Sequence, residues 1–279
     1  MFHKSLERIV RSALREDVGR KDLTTALTVP EGFRCRATLY AKQEGVLSGM
    51  EAFGLVFDQL NAELADFSGM SDGDSFTKGD KIAVFSGDTR AVLTGERTAL
   101  NFVQYLSGIA TLTAAYVRAV EGLPVRVSDT RKTTPGLRNL EKMAVMHGGG
   151  ANHRRSLAEG ILIKENHIEA AGGISVAVQN AKASADLLLK VEVEVGSVSD
   201  CVEAIKAGAD VVMLDNMSNE DMHRCVHAAR DTGVTFEASG NATLERLRGM
   251  AESGVDIISV GALTHSAPAV DVSLLIECL

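Results

Sequence analysis

The sequence predicts a mixed α/β protein in two parts: an N-terminal α+β domain, then a small or open parallel α/β barrel. Three observations carry this. Up to Ala110, β-like runs are separated by turn signals and interrupted by two helical stretches. After Pro124, short apolar strands alternate with helical periodicity. A weak internal repeat links AIKAGADVVML, from Ala204, with MAESGVDIISV, from Met250. Strands buried on both faces read as near-continuous Val/Ile/Leu runs, and serial α-turn-β units build parallel sheets.

In chain order, MFHKSLERIVRSALRED sets Leu6, Ile9, Val10, Ala13 and Leu14 on one face of an amphipathic helix. It lacks the uninterrupted apolar core of a secretory signal. RCRATLYA and KIAVFSG read as strands, bounded by turns such as DGD and KGD. MEAFGLVFDQL and TRAVLTGERTALNFVQYLSG read as helices. Beyond Pro124, strands are expected at VRVSD, ILIKE, LLLKVEVEV, DVVMLD, FEASG and DIISVG. Six strands are too few for a closed eight-stranded barrel. The glycine fingerprint usual after the first strand of a doubly wound sheet is missing. Each strand ends in polar chemistry: Asp129 and Arg131, Lys164 and Glu165, Glu192 and Glu194, Asp215 and Asn216, Ser239, Gly261. Barrel enzymes collect their active-site groups at these C-terminal ends.

Composition narrows the function. The 279 residues are 45% apolar and 24% charged, an ordinary globular mixture, with no run of apolar residues long enough to span a membrane. A net charge of −8 argues against nucleic acid as a partner. Four dispersed cysteines, Cys35, Cys201, Cys225 and Cys278, form no zinc motif and read as reduced thiols of a cytoplasmic protein. Positive charge nevertheless gathers between Asp129 and His167, which points to an anionic small molecule. Within that stretch, Arg138 and Lys142 read as a solvated helix face.

DTRKTTPG places Arg131 and Lys132 just past a strand, a fork suited to carboxylates beside a compact charge suited to phosphate. Alternation along ILIKENHI puts Ile161, Ile163 and Glu165 on one face, Leu162 and Lys164 on the other. Lys164 can bind an anion or form a Schiff base, and His167 reads as a structural hydrogen-bonder. KVEVEV turns Lys190, Glu192 and Glu194 to one face. Glu194 with Asp215 can hold sugar hydroxyls or Mg2+; the alternative is a buried ion-pair network with Lys190 or Lys164. Ser239, Gly240 and Asn241 precede a helix expected from Thr243, and Gly261 and Ala262 follow the last strand. Two such glycine turns offer backbone N–H groups to phosphate. No Ser-His-Asp set or catalytic cysteine arrangement accompanies them.

The motifs GERTALNFVQYLSGIAT, DTRKTTPGLR, HGGGANHRRSL, ILIKENHI, KVEVEV, VVMLDNM, EASGN and ISVGALTHSAPAVDVSL, with LREDVGRKDLTT before them, resemble the quinolinate phosphoribosyltransferase family in the same order. The resemblance implies an N-terminal α/β sandwich over residues 1–112, joined by the tail 266–279, and an open barrel over 113–265. It implies transfer of phosphoribosyl from phosphoribosyl pyrophosphate to quinolinate with decarboxylation, using Mg2+. Arg131, His153, Arg154 and Lys164 then form the quinolinate set, beside Thr130, with Lys132 reaching the pyrophosphate. Glu194 and Asp215 hold ribose hydroxyls and metal, with Glu192 less constrained. Ser239, Gly240, Asn241, Gly261, Ala262 and His265 serve the phosphate side. Arg97 enters the site of a neighbouring subunit, which implies a homodimer. In GGGANHRRS, the glycines form a turn that brings His153 and Arg154 inward and leaves Arg155 at the rim. Three rivals stand beside it: a molybdenum-transport-associated homologue of the same fold, a Schiff-base barrel lyase using Lys164, and a binding module that has lost turnover.

Overall fold

A computed structural model describes residues 2–229 and 232–279. In chain order, the first elements are α1 (Phe2–Val18), α2 (Leu23–Thr28), β1 (Arg34–Ala41), β2 (Gly45–Val46), α3 (Met50–Gln59), β3 (Ala65–Gly69), β4 (Ser75–Phe76), β5 (Lys81–Asp88) and α4 (Thr89–Ala119). There follow β6 (Arg126–Ser128), α5 (Arg138–His147), β7 (Ile161–Ile163), α6 (Glu165–Ala171), α7 (Ile174–Ser184), β8 (Val191–Val195) and α8 (Val198–Ala207). The chain closes with β9 (Val211–Asp215), α9 (Asn219–Ala228), β10 (Thr235–Ser239), α10 (Leu244–Glu252), β11 (Ile257–Ser259), α11 (Ala262–His265) and β12 (Val272–Cys278). Among the described residues, no helix is long and apolar enough to cross a membrane.

The first compact unit comprises the chain up to Ala114, Thr133–Gly149 and Leu263–Leu279. Its main sheet runs β12-β1-β5-β3 with antiparallel neighbours. Alternate residues of β1, from Cys35 to Ala41, are buried. Phe53 and Phe57 of α3 meet Phe85 of β5, with ring centroids 5.1–5.8 Å apart, offset or edge-on contacts that the aromatic quadrupole favours. Leu6, Val10 and Leu14 of α1 are buried, as the amphipathic pattern expects, while Ile9 and Ala13 are half-buried.

Three expectations need correction in this unit. The helix read as ending at Gly108 continues to Ala119. Gly108 marks a close approach instead: a Cβ there would overlap the Pro268 carbonyl. Secondly, Thr133–Gly149 lies with this unit, although residues 113–265 were read as one barrel domain. Its helix α5 buries Leu140, Ala144 and Val145, and the Glu141 carboxylate accepts the Tyr105 hydroxyl of α4 at 2.7 Å. Thirdly, Lys142 is only 1% exposed, so the charged stretch of α5 is not a solvated face. The cysteines also prove less dispersed than their numbers suggest. Cys35 and Cys278 are opposed on β1 and β12, and Cys201 and Cys225 are buried on the adjacent helices α8 and α9, all four as free thiols.

The second unit comprises Ala115–Lys132 and Gly150–Ala262. Its six strands lie in the order β6-β11-β10-β9-β8-β7, all neighbours parallel, and the two edges do not close. This is the open barrel expected from the strand count. Ala151 adds a single parallel bridge to Ser128 on the outer edge of β6. β8 begins only at Val191, not within the preceding leucines. Leu187 and Leu188 are 97% and 92% exposed: the adjoining strand starts at Ile161, which pairs with Val191 and leaves earlier residues no ladder. Hydrophobicity alone could not show where the neighbouring strand begins.

Candidate active site

Several residues lining the inside of this sheet are polar where a barrel core is usually apolar. The register places Glu194 beside Met213, and Met213 beside Glu237, in one layer across β8, β9 and β10. One layer nearer the C-terminal strand ends, Asp215 stands beside Ser239. Above them opens a cavity of about 560 Å³. Arg131, Lys132, His153, Arg154 and Lys164 line it, together with Glu194, Asp215 and Glu237, and with Ser239, Gly240 and Asn241. Thr130 also reaches it, and its hydroxyl accepts the Lys132 N–H at 3.0 Å.

Local structure explains each placement. Lys164 caps α6 directly after β7, and its backbone N–H donates to His167 Nδ1 at 3.0 Å, which fixes the strand-to-helix turn. Its ammonium pairs with the Glu194 carboxylate. That pair is the Lys164 ion-pair alternative made visible, though the same two groups face the cavity. Asn216 and Asn241 both adopt left-handed φ, 54° and 47°. Asn216 donates to Asp215 Oδ2 at 2.7 Å and accepts from the Asn241 amide at 3.0 Å. Gly240, φ 82°, packs so closely on Asn216 that a Cβ would overlap its amide. Here glycine is required twice over, by backbone conformation and by space. The following helix α10 starts at Leu244 with Thr243 as its N-cap.

His153 and Arg154 are delivered by the segment after the glycines. Gly148 ends α5, and Gly149 is left-handed with φ 83°. Asp129, fully buried, then accepts the His153 N–H at 2.9 Å and the Asn152 side-chain amide at 2.8 Å. Arg154 reaches the Gly160 carbonyl at 3.0 Å, whereas Arg155 is exposed. Burial and the neighbouring Arg131 charge both push the Arg154 pKa down, and Glu192 pulls the other way.

Sequence reasoning missed Glu237. It is 2% exposed, and its Oε2 and that of Glu192 each lie 3.4 Å from His153 Nε2. These two carboxylates push the His153 pKa up, but a second ring proton would have to displace the Arg154 N–H from Nδ1, which opposes them; burial pushes the Glu192 pKa up. The trio is the size of a metal-binding set, its ligand atoms lying within 4.8 Å of one another. However, His153 Nδ1 accepts the Arg154 N–H at 2.8 Å, which places the ring proton on Nε2, where it blocks ligation. Glu192 thus meets His153 rather than Lys190. The glutamate in FEASG was the only sequence signal for this cluster.

The remaining site residues lie elsewhere on the chain. Gly261 and Ala262 follow β11, with Ala262 opening α11. Arg97, on α4, and His265, at the end of α11, are exposed residues of the first unit.

Residues 22–107 match the family pattern described as quinolinate phosphoribosyl transferase, N-terminal domain, and residues 109–275 match its C-terminal domain. The chain belongs to the quinolinate phosphoribosyl transferase family. A probable nicotinate-nucleotide pyrophosphorylase [carboxylating] of Bacillus subtilis is 42% identical over 98% of this chain and 94% of its own. The human nicotinate-nucleotide pyrophosphorylase [carboxylating] is 41% identical over 97% of this chain and 91% of its own. The crystal structure of NadC from Streptococcus pyogenes superposes with a TM-score of 0.94 at 41% identity, covering 98% of this chain and 97% of that one. The open six-stranded sheet is therefore a property of the quinolinate phosphoribosyl transferase fold.

Proposed function

We propose that this chain transfers the phosphoribosyl group of phosphoribosyl pyrophosphate to quinolinate with loss of CO2, giving nicotinate mononucleotide and pyrophosphate in NAD biosynthesis. The observation that carries this reading is the convergence, on one cavity of a quinolinate phosphoribosyl transferase scaffold, of Arg131, Lys132, Arg154 and Lys164 with three carboxylates and a glycine turn. Arg131, Arg154 and Lys164 suit the two carboxylates of quinolinate. Lys132 suits the pyrophosphate. Ser239, Gly240 and Asn241 suit the 5′-phosphate.

Catalysis then rests on positioning and electrostatics. As the bond from ribose C1 to pyrophosphate breaks, positive charge grows on the sugar, and Glu194 and Asp215 face it. Interactions stronger in that state than in the ground state accelerate the step. The ring nitrogen of quinolinate supplies the electron pair that forms the new C1–N bond. The adjacent carboxylate leaves as CO2, its electron pair stabilised by the now cationic nitrogen until the ring carbon takes up a proton from water. No side chain need abstract a proton. Asp215 and Glu194 offer the hard oxygen donors Mg2+ prefers, and such an ion takes one or two carboxylates together with substrate phosphates. Bound there, it would neutralise charge on the leaving pyrophosphate.

A homodimer completed by Arg97 remains part of the proposal. So does a cytoplasmic location, supported by the four free thiols. The deciding test measures CO2 release from quinolinate by the purified protein, with nicotinate as competing substrate. Release should require both phosphoribosyl pyrophosphate and Mg2+, and no turnover under those conditions would sink the proposal. Trapping of Lys164 by borohydride with a carbonyl substrate would instead support the lyase.

A further inference from the structure

Beneath the main cavity lies a second chamber of about 280 Å³, lined by Arg126, Ser128, Lys190 and Glu192. His153, Arg154 and Glu237 border both spaces. Glu237 stands at their junction, two residues before Ser239, with Met213 and Ile257 as its strand neighbours. A carboxylate in this position is costly. It is almost fully buried, and its Oε1 has no hydrogen-bond partner among the described residues. Burial of a carboxylate with incomplete partners works against folding, so an apolar residue of similar volume would serve stability better. What the carboxylate gains is hold on His153.

We propose that Glu237 is a positioning residue of the phosphoribosyl-transfer site, which anchors His153 from below and thereby sets the cationic wall formed by Arg154. This rests on the function proposed above. The path is short and continuous. The Glu237 carboxylate faces His153 Nε2 at 3.4 Å, and the Nδ1 of the same ring accepts the Arg154 N–H at 2.8 Å. Asp129 clamps the His153 N–H from the other side at 2.9 Å. Arg154 thus leaves a backbone fixed at two points, and its guanidinium enters the cavity from there. Glu192 holds the same ring nitrogen but only from the lower chamber, whereas Glu237 also faces the main cavity. Loss of Glu237 frees the ring to turn toward Glu192 and loosens the Arg154 backbone. Displacement of a positioning group by about 1 Å can cost ~10²-fold in rate.

The test compares Glu237→Gln and Glu237→Leu with the wild type by steady-state kinetics for each substrate, thermal unfolding, and 15N NMR of the histidine rings. For Glu237→Leu, kcat/KM for quinolinate should fall about 10- to 100-fold, with KM for phosphoribosyl pyrophosphate nearly unchanged and Tm equal or higher. Glu237→Gln, which keeps an acceptor, should fall between. The His153 ring should lose its fixed Nε2–H tautomer in the leucine variant. Wild-type kinetics in Glu237→Leu would overturn the proposal, as would a lower Tm accompanied by normal kinetics per folded molecule. The ring spectrum reads the anchor directly. A wild-type protein without turnover would therefore refute the function while the spectrum still decided whether Glu237 fixes His153.

Discussion

Asp129→Ala tests how the cationic wall is held. The wild-type carboxylate is fully buried and accepts the His153 N–H at 2.9 Å and the Asn152 amide at 2.8 Å. A hydrogen bond to a charged group contributes about 1.5–3 kcal/mol, so these two together contribute about 3–6 kcal/mol. Relief of the buried charge in the alanine variant offsets part of that, which leaves a loss of about 3 kcal/mol. With a urea slope of about 2 kcal/mol/M, the midpoint for the second unit should drop by ~1.5 M. Circular dichroism across a urea series reads this, with each transition fitted separately if the two units unfold apart. Activity should fall as well, because the freed segment carries both His153 and Arg154. In Asp129→Asn the His153 bond survives, but the new NH2 faces the Asn152 NH2 unless that amide turns over, so its effect should be smaller. A midpoint within 0.3 M of wild type (about 0.6 kcal/mol at that slope), together with full kcat/KM for Asp129→Ala, would refute this reasoning.

Arg131→Ala and Lys164→Ala should each lower kcat/KM for quinolinate by roughly 10²-fold, as for removed electrostatic anchors; near-normal kinetics would remove that residue from the site. Mixed dimers of Arg97→Ala and Lys164→Ala subunits should regain activity that neither parent shows, and no recovery in verified mixed dimers would end the shared-site proposal. Gly240→Ala should destabilise by at least the ~1–2 kcal/mol of a left-handed non-glycine residue and weaken phosphoribosyl pyrophosphate binding, read as its KM. At Asp210, burial works to raise the pKa, but Lys182 and the Val191 N–H, each at 2.7 Å, outweigh it and hold the carboxyl below its usual 3.8. The stability it contributes is therefore full above that usual value and lost as pH falls through the lowered one. Asp210→Asn should flatten this acid limb of a stability–pH curve, and an unchanged limb would show that other carboxylates dominate it.

Much of the site was legible because strand-end chemistry is local. Arg131, Lys164, Glu194, Asp215 and Ser239 each sit where a short apolar run stops, and alternation alone separates Lys164 from Ile163. Glu237 was not legible, because one acidic residue inside a strand carries no sign of what faces it. Its meaning came from His153, many residues distant in sequence and on a loop outside the strands.

By itself, the sequence determined the two-part α/β architecture, the number of parallel strands, and the cations and carboxylates of the site. Periodicity and strand ends are properties of consecutive residues, and the backbone imposes them. Only the tertiary structure decided that α4 runs through Gly108, that α5 leaves the barrel unit, and that β8 starts after the leucines. It alone disclosed the buried pair of glutamates that grips the histidine of GGGANHRRS. Each of these depends on which distant backbone or side chain approaches, and such neighbours are chosen by packing in three dimensions, not by the order of residues along the chain.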